Sequence, residues 1–599
     1  MRCCIALLLL CSVAFAQDRP NVLWISSEDN GPDLGCYGSE VADTPNLDAL
    51  AKAGVRYDRA WSNAPVCSAA RTTIILGVHP QSIGAEHQRS RLPLPKPIVP
   101  FPTLLREAGY YCTNRSKTDY NLAEPGKIWD QSNGKAHWRG RDGDQPFFAV
   151  FNFTVSHESQ VRKRPHTPVL DADAVPIPPQ HPDAPEVRRD WAQYHDKITE
   201  MDAQAGRILS QLDADGLADN TIVLYWGDHG AGLPGFKRNA KNQGLHVPLL
   251  VRVPEKWRDH ARSGEPGSAD DRLVSFVDLA PTVLSLAGIA PPEWMHGRAF
   301  LGPHRAEAPA FNLGHRGRMD ERDDLVRTLT DGRFVYARNF MPWLPLGQHV
   351  DYMFQTPTTR VWFERFVAGQ LDDVQAAFWK PRPAEELYDL EADPHETKNL
   401  AADPAHAAQL EAMRDALRAR VLSLGDRSFI PEALLADRLE TPYRDAWVDA
   451  AWRASSGDAA EEEWLARSAN STDPVVRTWA LRGLAHLGAV ERHRAAFEAG
   501  LGAPEPSVQV AAAEALVAAG GGADRTARAR AALVALADRQ KAGFFPALDA
   551  WNAIDRLGPA MAADADQLAA IPGDVEDVPG HAKSYLPRLR EHAMEELGK

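Results

Sequence analysis

The chain is short of cysteine, of positive charge and of long apolar runs. Only six cysteines occur in 599 residues, and Cys3, Cys4 and Cys11 crowd the first eleven positions. The body therefore carries Cys36, Cys67 and Cys112, an odd number too small for a disulfide scaffold. Cys36 and Cys112 read as buried thiols or as one pair, which leaves Cys67 to be explained. Lys plus Arg total 66 against 81 Asp plus Glu, a formal charge of −15. That balance argues against a general nucleic-acid binder but allows a local basic pocket for an anionic substrate. Beyond the N-terminus no segment approaches the roughly 20 apolar residues of a membrane span.

What is present is globular: 44% hydrophobic and 25% charged residues, in a chain long enough for two or more compact units. Sixteen tryptophans hint weakly at a flat ligand, though most are expected in cores. Arg2, the apolar run Cys3 to Phe15, and Ala14-Phe15-Ala16 before Gln17-Asp18 read as a secretory signal peptide over residues 1–16. The expected location is periplasmic or secreted.

Asn21-Val22-Leu23-Trp24-Ile25-Ser26-Ser27 reads as a buried strand ending at Glu28-Asp29. A helix is expected from about Thr44 to Gly54, with Thr44 as cap and Pro45 in its first turn. Further strands are expected over 146–155 and 221–226, with helices over 189–214 and 275–287 between or after them. This alternation predicts a parallel α/β sheet, whose active site gathers at the carboxyl ends of the strands. Residues 311–425 read as a smaller α+β unit, with a strand at 334–338 and a closing helix over 402–424.

Past about Gly425 the texture becomes Ala-rich helix. Asp473-Pro474-Val475-Val476 and Glu505-Pro506-Ser507-Val508 open two segments that superpose at an offset of 32, and a looser copy runs through Ala550 to Gly558. The pattern resembles HEAT-type helical repeats, which bury their faces by stacking. The expected organisation is thus a signal over 1–16, an α/β core over 17–310, a subdomain over 311–425 and a linker over 426–445. HEAT-like repeats over 446–570 and a tail over 571–599 complete it.

Cys67-Ser68-Ala69-Ala70-Arg71 is the strongest chemical signal. By itself it reads as an activated thiol before a helix, with Arg71 one turn along the same face, or as a buried small-residue helix start. Other motifs accompany it: Thr44-Pro45-Asn46-Leu47-Asp48, Phe276-Val277-Asp278-Leu279-Ala280-Pro281-Thr282, and Glu386-Leu387-Tyr388-Asp389-Leu390 through Asp393-Pro394 to Asn399-Leu400.

Cys-x-Ala-x-Arg, with a carboxylate pair after the first strand, resembles the signature of the type I sulfatases over about residues 20–425. Within that family the heparan N-sulfatase-like bacterial sulfatases are the nearest suggestion. The resemblance implies an alkaline-phosphatase-like core. It also implies conversion of Cys67 to formylglycine by a maturase during export, and one Ca²⁺. It assigns Glu28, Asp29, Asp228 and His229 to the metal, Lys117 and Lys237 to the sulfate oxygens, and Arg71 to the catalytic group. His157 is placed beside the leaving group, where imidazole can act as general acid.

Two substitutions depart from the family pattern. Glu28 stands where Asp is usual. Asp119 stands where a histidine is expected, either as a proton acceptor or as a partner that orients Lys117. His87, Arg89, Arg316, Arg318, Asp320 and His349 are substrate-side candidates, each also readable as a member of a surface ion pair.

The implied reaction is hydrolysis of an O- or N-linked sulfate on a glycan, with the helical repeats as a surface for a protein partner. The alternatives are a phosphate mono- or diester hydrolase of the same superfamily and a catalytically impaired sulfated-glycan-binding protein.

Overall fold

The computed structural model describes residues 18–123, 125–261, 264–573 and 580–598. The expected signal segment lies outside them. Strands β1 (Asn21–Ser27), β2 (Val55–Trp61), β3 (Tyr111–Arg115), β4 (Gln131–Ser132), β5 (Phe147–Phe153), β6 (Thr221–Gly227), β7 (Leu249–Arg252) and β8 (Ser268–Ser275) form one eight-stranded sheet. Their order is β4-β3-β5-β1-β6-β7-β2-β8. Strand β1 runs parallel to both neighbours, with Trp24 beside Val150 on β5 and Leu224 on β6. Strand β7 runs antiparallel to both of its neighbours.

Strand β1 is buried at every position because the sheet is covered on both faces. One layer packs Trp24, Phe148 and Trp226 with Leu279 and Val283. The other packs Leu23, Phe151 and Tyr225 against Trp191, Ile198 and Met201. Helices α1 (Pro45–Lys52) and α2 (Cys67–Leu76) follow β1 and β2, and α3 (Pro185–Ala214) precedes β6. Helix α1 begins at Pro45 as expected, but Thr44 is not a side-chain cap. Its hydroxyl accepts from Gly35 N–H and donates to Asp48 instead. The expected helix over 275–287 is a single 3₁₀ turn followed by a helix over Leu279–Leu286, because Ser275 still belongs to β8.

The smaller unit is an antiparallel sheet in the order β12-β11-β10-β9, from β9 (Asn312–Arg316), β10 (Val326–Thr330), β11 (Phe334–Asn339) and β12 (Glu385–Asp389). Helix α4 (Ala407–Leu424) packs on it. The segment 426–445 is not an exposed linker. Asp426 is fully buried against Arg327, and Phe429 and Ile430 are buried too.

A stack of helices follows, whose longer members are α5 (Asp445–Ala454), α6 (Pro474–His486), α7 (Pro506–Ala519), α8 (Ala523–Ala537) and α9 (Phe544–Leu557), with shorter helices such as Arg494–Leu501 between them. The matched segments at the 32-residue offset are α6 and α7, each opened by its proline. Part of the expected tail forms a further helix, α10 (Tyr585–Glu596), which packs on α9. One continuous apolar core runs from Leu313 in the small sheet through the stack to Met594. No helix among the described residues is long and apolar enough to cross a membrane.

Candidate active site

The site forms where the parallel strands end. Strand β1 delivers Glu28 and Asp29, and β6 delivers Asp228 and His229. Strand β5 leads to His157, and β3 to Lys117 and Asp119. Cys67 is the first residue of α2, so its side chain enters at a helix N-terminus, where backbone N–H groups favour negative charge. Gly227 lets the ends of β1 and β6 close on each other: a Cβ there would collide with the carbonyl oxygen of Asn30. Asp29 N–H donates to Asp228 Oδ1 at 2.9 Å, which locks the two acidic turns together.

Cys67 Sγ lies 3.4 Å from His229 Nε2, 3.7 Å from Asp29 Oδ1 and 3.9 Å from Lys237 Nζ. Lys237 Nζ donates to both Asp29 oxygens at 3.0 and 2.8 Å, and lies 3.4 Å from His157 Nε2. Arg71 reaches Asn152 Oδ1 at 2.7 Å, Asp228 Oδ2 at 3.2 Å and Glu28 Oε1 at 3.4 Å. Lys117 pairs with Glu28 and lies 3.7 Å from Asp119.

These charges are buried, so each is held by its neighbours rather than by water. Burial raises the Asp29 carboxyl, but Lys237, His157 and His229 outweigh it and hold the pKa well below the usual range. Burial disfavours a charged His229, yet Asp228 and Asp29 reverse the sign and lift it to about 10. The Cys67 thiol is pushed up by burial and Asp228, and pulled further down by Lys117 and Lys237.

Donor atoms of Asp29, Asp228, His229 and Cys67 all lie within 4.8 Å of one another, with every residue buried. Two buried carboxylates beside one imidazole fit a divalent cation, the carboxylate oxygens suiting a hard one. Glu28 stands outside that group, with its carboxylate turned to Lys117 and Arg71.

The cavity over Cys67 has a volume of about 530 Å³ and is lined by Glu28, Lys117, Asp119, His157, Lys237 and Arg89, among others. Arg71 lies beneath it. Four substrate-side candidates, His87, Arg316, Arg318 and His349, lie outside the lining. His87 is buried, accepting from Arg318 N–H at its Nδ1. Arg316 is buried against Asp324 at 3.1 Å. His349 stacks on the His592 ring, with centroids 3.6 Å apart. Arg318 is held by Glu432, whereas Asp320 reaches the lining and binds Arg238 at 2.7 Å.

Several residues of the site carried no sequence reading. Glu158 pairs with Arg238 at 2.9 Å and Lys237 at 3.4 Å, and its pKa falls to about 2 as Arg238 and Lys237 overcome burial. Their neighbours His157 and Lys237 were the available signal. Asn152 could have been found as the inward residue near the end of β5. Tyr352, Ser584 and Arg588 also line the cavity, and nothing local in sequence marks them.

A reactive position at a helix start, ringed by buried acids, two lysines and a histidine at the carboxyl ends of a parallel sheet, defines a hydrolase for an anionic ester. Comparison narrows the class. A family model described as Sulfatase matches residues 20–289. An ulvan-active sulfatase of Formosa agariphila is 36% identical over 471 residues, covering 70% of this chain and 78% of that protein. The human N-sulphoglucosamine sulphohydrolase is 27% identical over 482 residues, covering 69% and 92% respectively. Among solved structures, a 2-O GAG sulfatase superposes with a TM-score of 0.51 at 18% identity, covering 68% of this chain and 93% of that one. A phosphonate monoester hydrolase of Silicibacter pomeroyi superposes with a TM-score of 0.50 at 18% identity, covering 69% and 97%. Those two share the fold alone. The chain belongs to the sulfatase family, and it is a sulfuric ester hydrolase.

Proposed function

We propose that this sulfatase removes an O- or N-linked sulfate from a saccharide, with Cys67 as the precursor of its nucleophile. The observation that carries the reading is the position of Cys67 Sγ, within 4 Å of Asp29, His229 and Lys237 on the cavity floor. Oxidised to formylglycine by an exporting cell's maturase, Cys67 supplies as its hydrate an oxygen nucleophile that a thiol does not offer. Asp29, Asp228 and His229, with Glu28 beside them, would hold a Ca²⁺, which would supply Lewis-acid charge for a sulfate oxygen.

The chain's own residues do the rest. Lys117 and Lys237 place two positive charges on the sulfate oxygens, where charge builds in the transition state. Arg71 holds Asp228 and Glu28 in place and acts as a positioning residue. Ser159 N–H donates to His157 Nδ1 at 3.3 Å, which leaves Nε2 to carry the proton toward the cavity. His157 donates that proton to the leaving oxygen or nitrogen. Asp119, 3.7 Å from Lys117 and 3.6 Å from Arg89, orients both cations.

The same reading includes export with removal of residues 1–16 and a HEAT-type array in the stacked helices, offering its outer faces to a protein partner. The relatives named an ulvan-active sulfatase and an N-sulphoglucosamine sulphohydrolase support a saccharide. The deciding experiment is a peptide mass spectrum across Cys67 on protein exported from its native host. An aldehyde or its hydrate is expected, together with turnover of nitrophenyl sulfate far above nitrophenyl phosphate. An intact thiol on active protein would overturn the formylglycine mechanism.

A further inference from the structure

Helix α10 lies beyond the stacked helices, yet it reaches the catalytic cavity. Tyr585, Arg588 and His592 recur at i, i+3 and i+7, so they share one face of the helix. That face is fastened to the catalytic unit. His592 Nδ1 lies 2.6 Å from Asp555 Oδ1, Arg322 reaches Asp555 Oδ2 at 2.6 Å, and the His592 ring stacks on His349. Asn552 on α9 donates to the Glu321 carbonyl at 2.9 Å. At the other end of the stripe the Tyr585 hydroxyl accepts from Arg89 at 3.3 Å, and the Arg318 guanidinium lies over its ring.

Arg588 lies between these anchors and lines the cavity with Ser584. Its Nε is 3.1 Å from Asp351 Oδ2, a carboxylate 42% exposed. A partner that open to water binds weakly. The Arg588 guanidinium is also 5.8 Å from the Tyr352 ring, and that ring is 6.4 Å from the ring of His157. A path thus runs from the leaving-group position at His157, across an aromatic surface, to an arginine.

Charge along the cavity points the same way. Five cations line it against three carboxylates. Lys117 and Lys237 belong to the floor, and Arg238 is held by Glu158 and Asp320. Arg89, held loosely by Asp119 at 3.6 Å and by the Tyr585 hydroxyl, and Arg588 each keep about a quarter of the side chain exposed. Arg89 is also fixed at its backbone: with φ at +59°, its N–H donates to Asn121 Oδ1 at 2.7 Å and to Ser68 Oγ, the residue after Cys67. Such a conformation persists where the surroundings determine it.

We propose that α10 is one wall of the substrate cleft, and that Arg588 with Arg89 receives a second acidic group on the saccharide, a carboxylate or a further sulfate. Tyr352 supplies the surface for the intervening sugar face. A guanidinium suits either group because its parallel N–H donors match two oxygens at once. The inference rests on the saccharide reading above and adds which saccharides are preferred.

The test uses the full-length, matured enzyme and three defined substrates: a monosulfated neutral disaccharide, its uronic-acid counterpart and a disulfated counterpart. The readout is kcat/KM for each acidic substrate relative to the neutral one. Wild type is expected to prefer at least one acidic substrate. Arg588→Ala is expected to cut that preference about tenfold, the scale of one charge-assisted contact. Arg588→Lys retains part of it, and Glu591→Gln, on the exposed side of α10, retains all of it. The substrate whose preference falls identifies the acidic group. No preference in wild type, or the same preference in Arg588→Ala, overturns the inference while the saccharide reading stands. Turnover of nitrophenyl sulfate without turnover of any saccharide overturns both.

Discussion

The carboxyl end of the large sheet and the stack of C-terminal helices solve packing in opposite ways. At the sheet end Arg71, Glu28 and Asp228 are almost wholly buried, and the interior is a lattice of opposite charges. In the stack the interior is mainly apolar, with Ala451, Ala480, Ala512 and Ala550 fully buried beside large rings such as Trp447 and Trp551. Ion pairs such as Arg467–Glu463 lie in solvent there. Glycine serves both regions differently. Gly227 brings two acidic turns together, whereas Gly483 lets two helices touch: a Cβ on it would lie 2.8 Å from Ala454 Cα. Buried charge is expensive to assemble; it is concentrated at the sheet end, while pairs such as Arg327–Asp426 keep it elsewhere as structure. Small-residue contact holds a shape without reactivity.

The contrast predicts a graded set of effects. Cys67→Ala should lower kcat on nitrophenyl sulfate by at least about 10⁴-fold, as expected for loss of a nucleophile. A residual rate comparable with wild type would remove Cys67 from the chemistry.

Gly483→Ala should destabilise the stack. Overpacking against a backbone atom costs roughly 1–3 kcal/mol, which exceeds the about 1 kcal/mol gained in helix propensity. Urea unfolding followed by tryptophan fluorescence checks it, and unchanged stability would mean that the helices can slide apart.

The joint between the regions is sensitive to acid. Burial alone would raise the Asp555 carboxyl, but its bond with His592 and the charge of Arg322 bring it down to about 2. Because the folded value is depressed, the stabilisation is fully present above the unfolded value near 3.8 and is lost as pH falls through about 2. Asp555→Asn should therefore cost about 2 kcal/mol near neutral pH and progressively less between pH 4 and 2. A pH-independent difference between variant and wild type would break this account. The smallest effect is expected at Arg467→Ala, within about 0.5 kcal/mol, because its partner is exposed.

Much of the catalytic geometry was legible in local sequence. Strand β1 has the bounds expected for it, and Glu28 and Asp29 follow directly, because a strand buried on both faces is a continuous apolar run that ends where polarity resumes. The proline starts of α6 and α7 were legible for a similar reason, since proline at a first helical turn needs no N–H partner. The packing of helix α5, the burial of Asp426 and Ser428 to Ile430 and the existence of α10 were not. Their side chains are ordinary, and their burial depends on partners tens of residues or more away.

The candidate site divides along the same line. Its acids, Cys67, His157 and both lysines could be named in advance because their motifs resemble those of the type I sulfatases. The sequence by itself therefore determined the family and the residue types gathered at the site. Tertiary structure alone decided that His87, Arg316, Arg318 and His349 lie outside the cavity, and that Asn152, Glu158 and Arg238 hold Arg71 and Lys237 at the candidate site. It also brought Tyr585 to Arg89 across 496 positions of chain. An arginine's partner is set by which surfaces meet, and no local pattern in a sequence records that meeting.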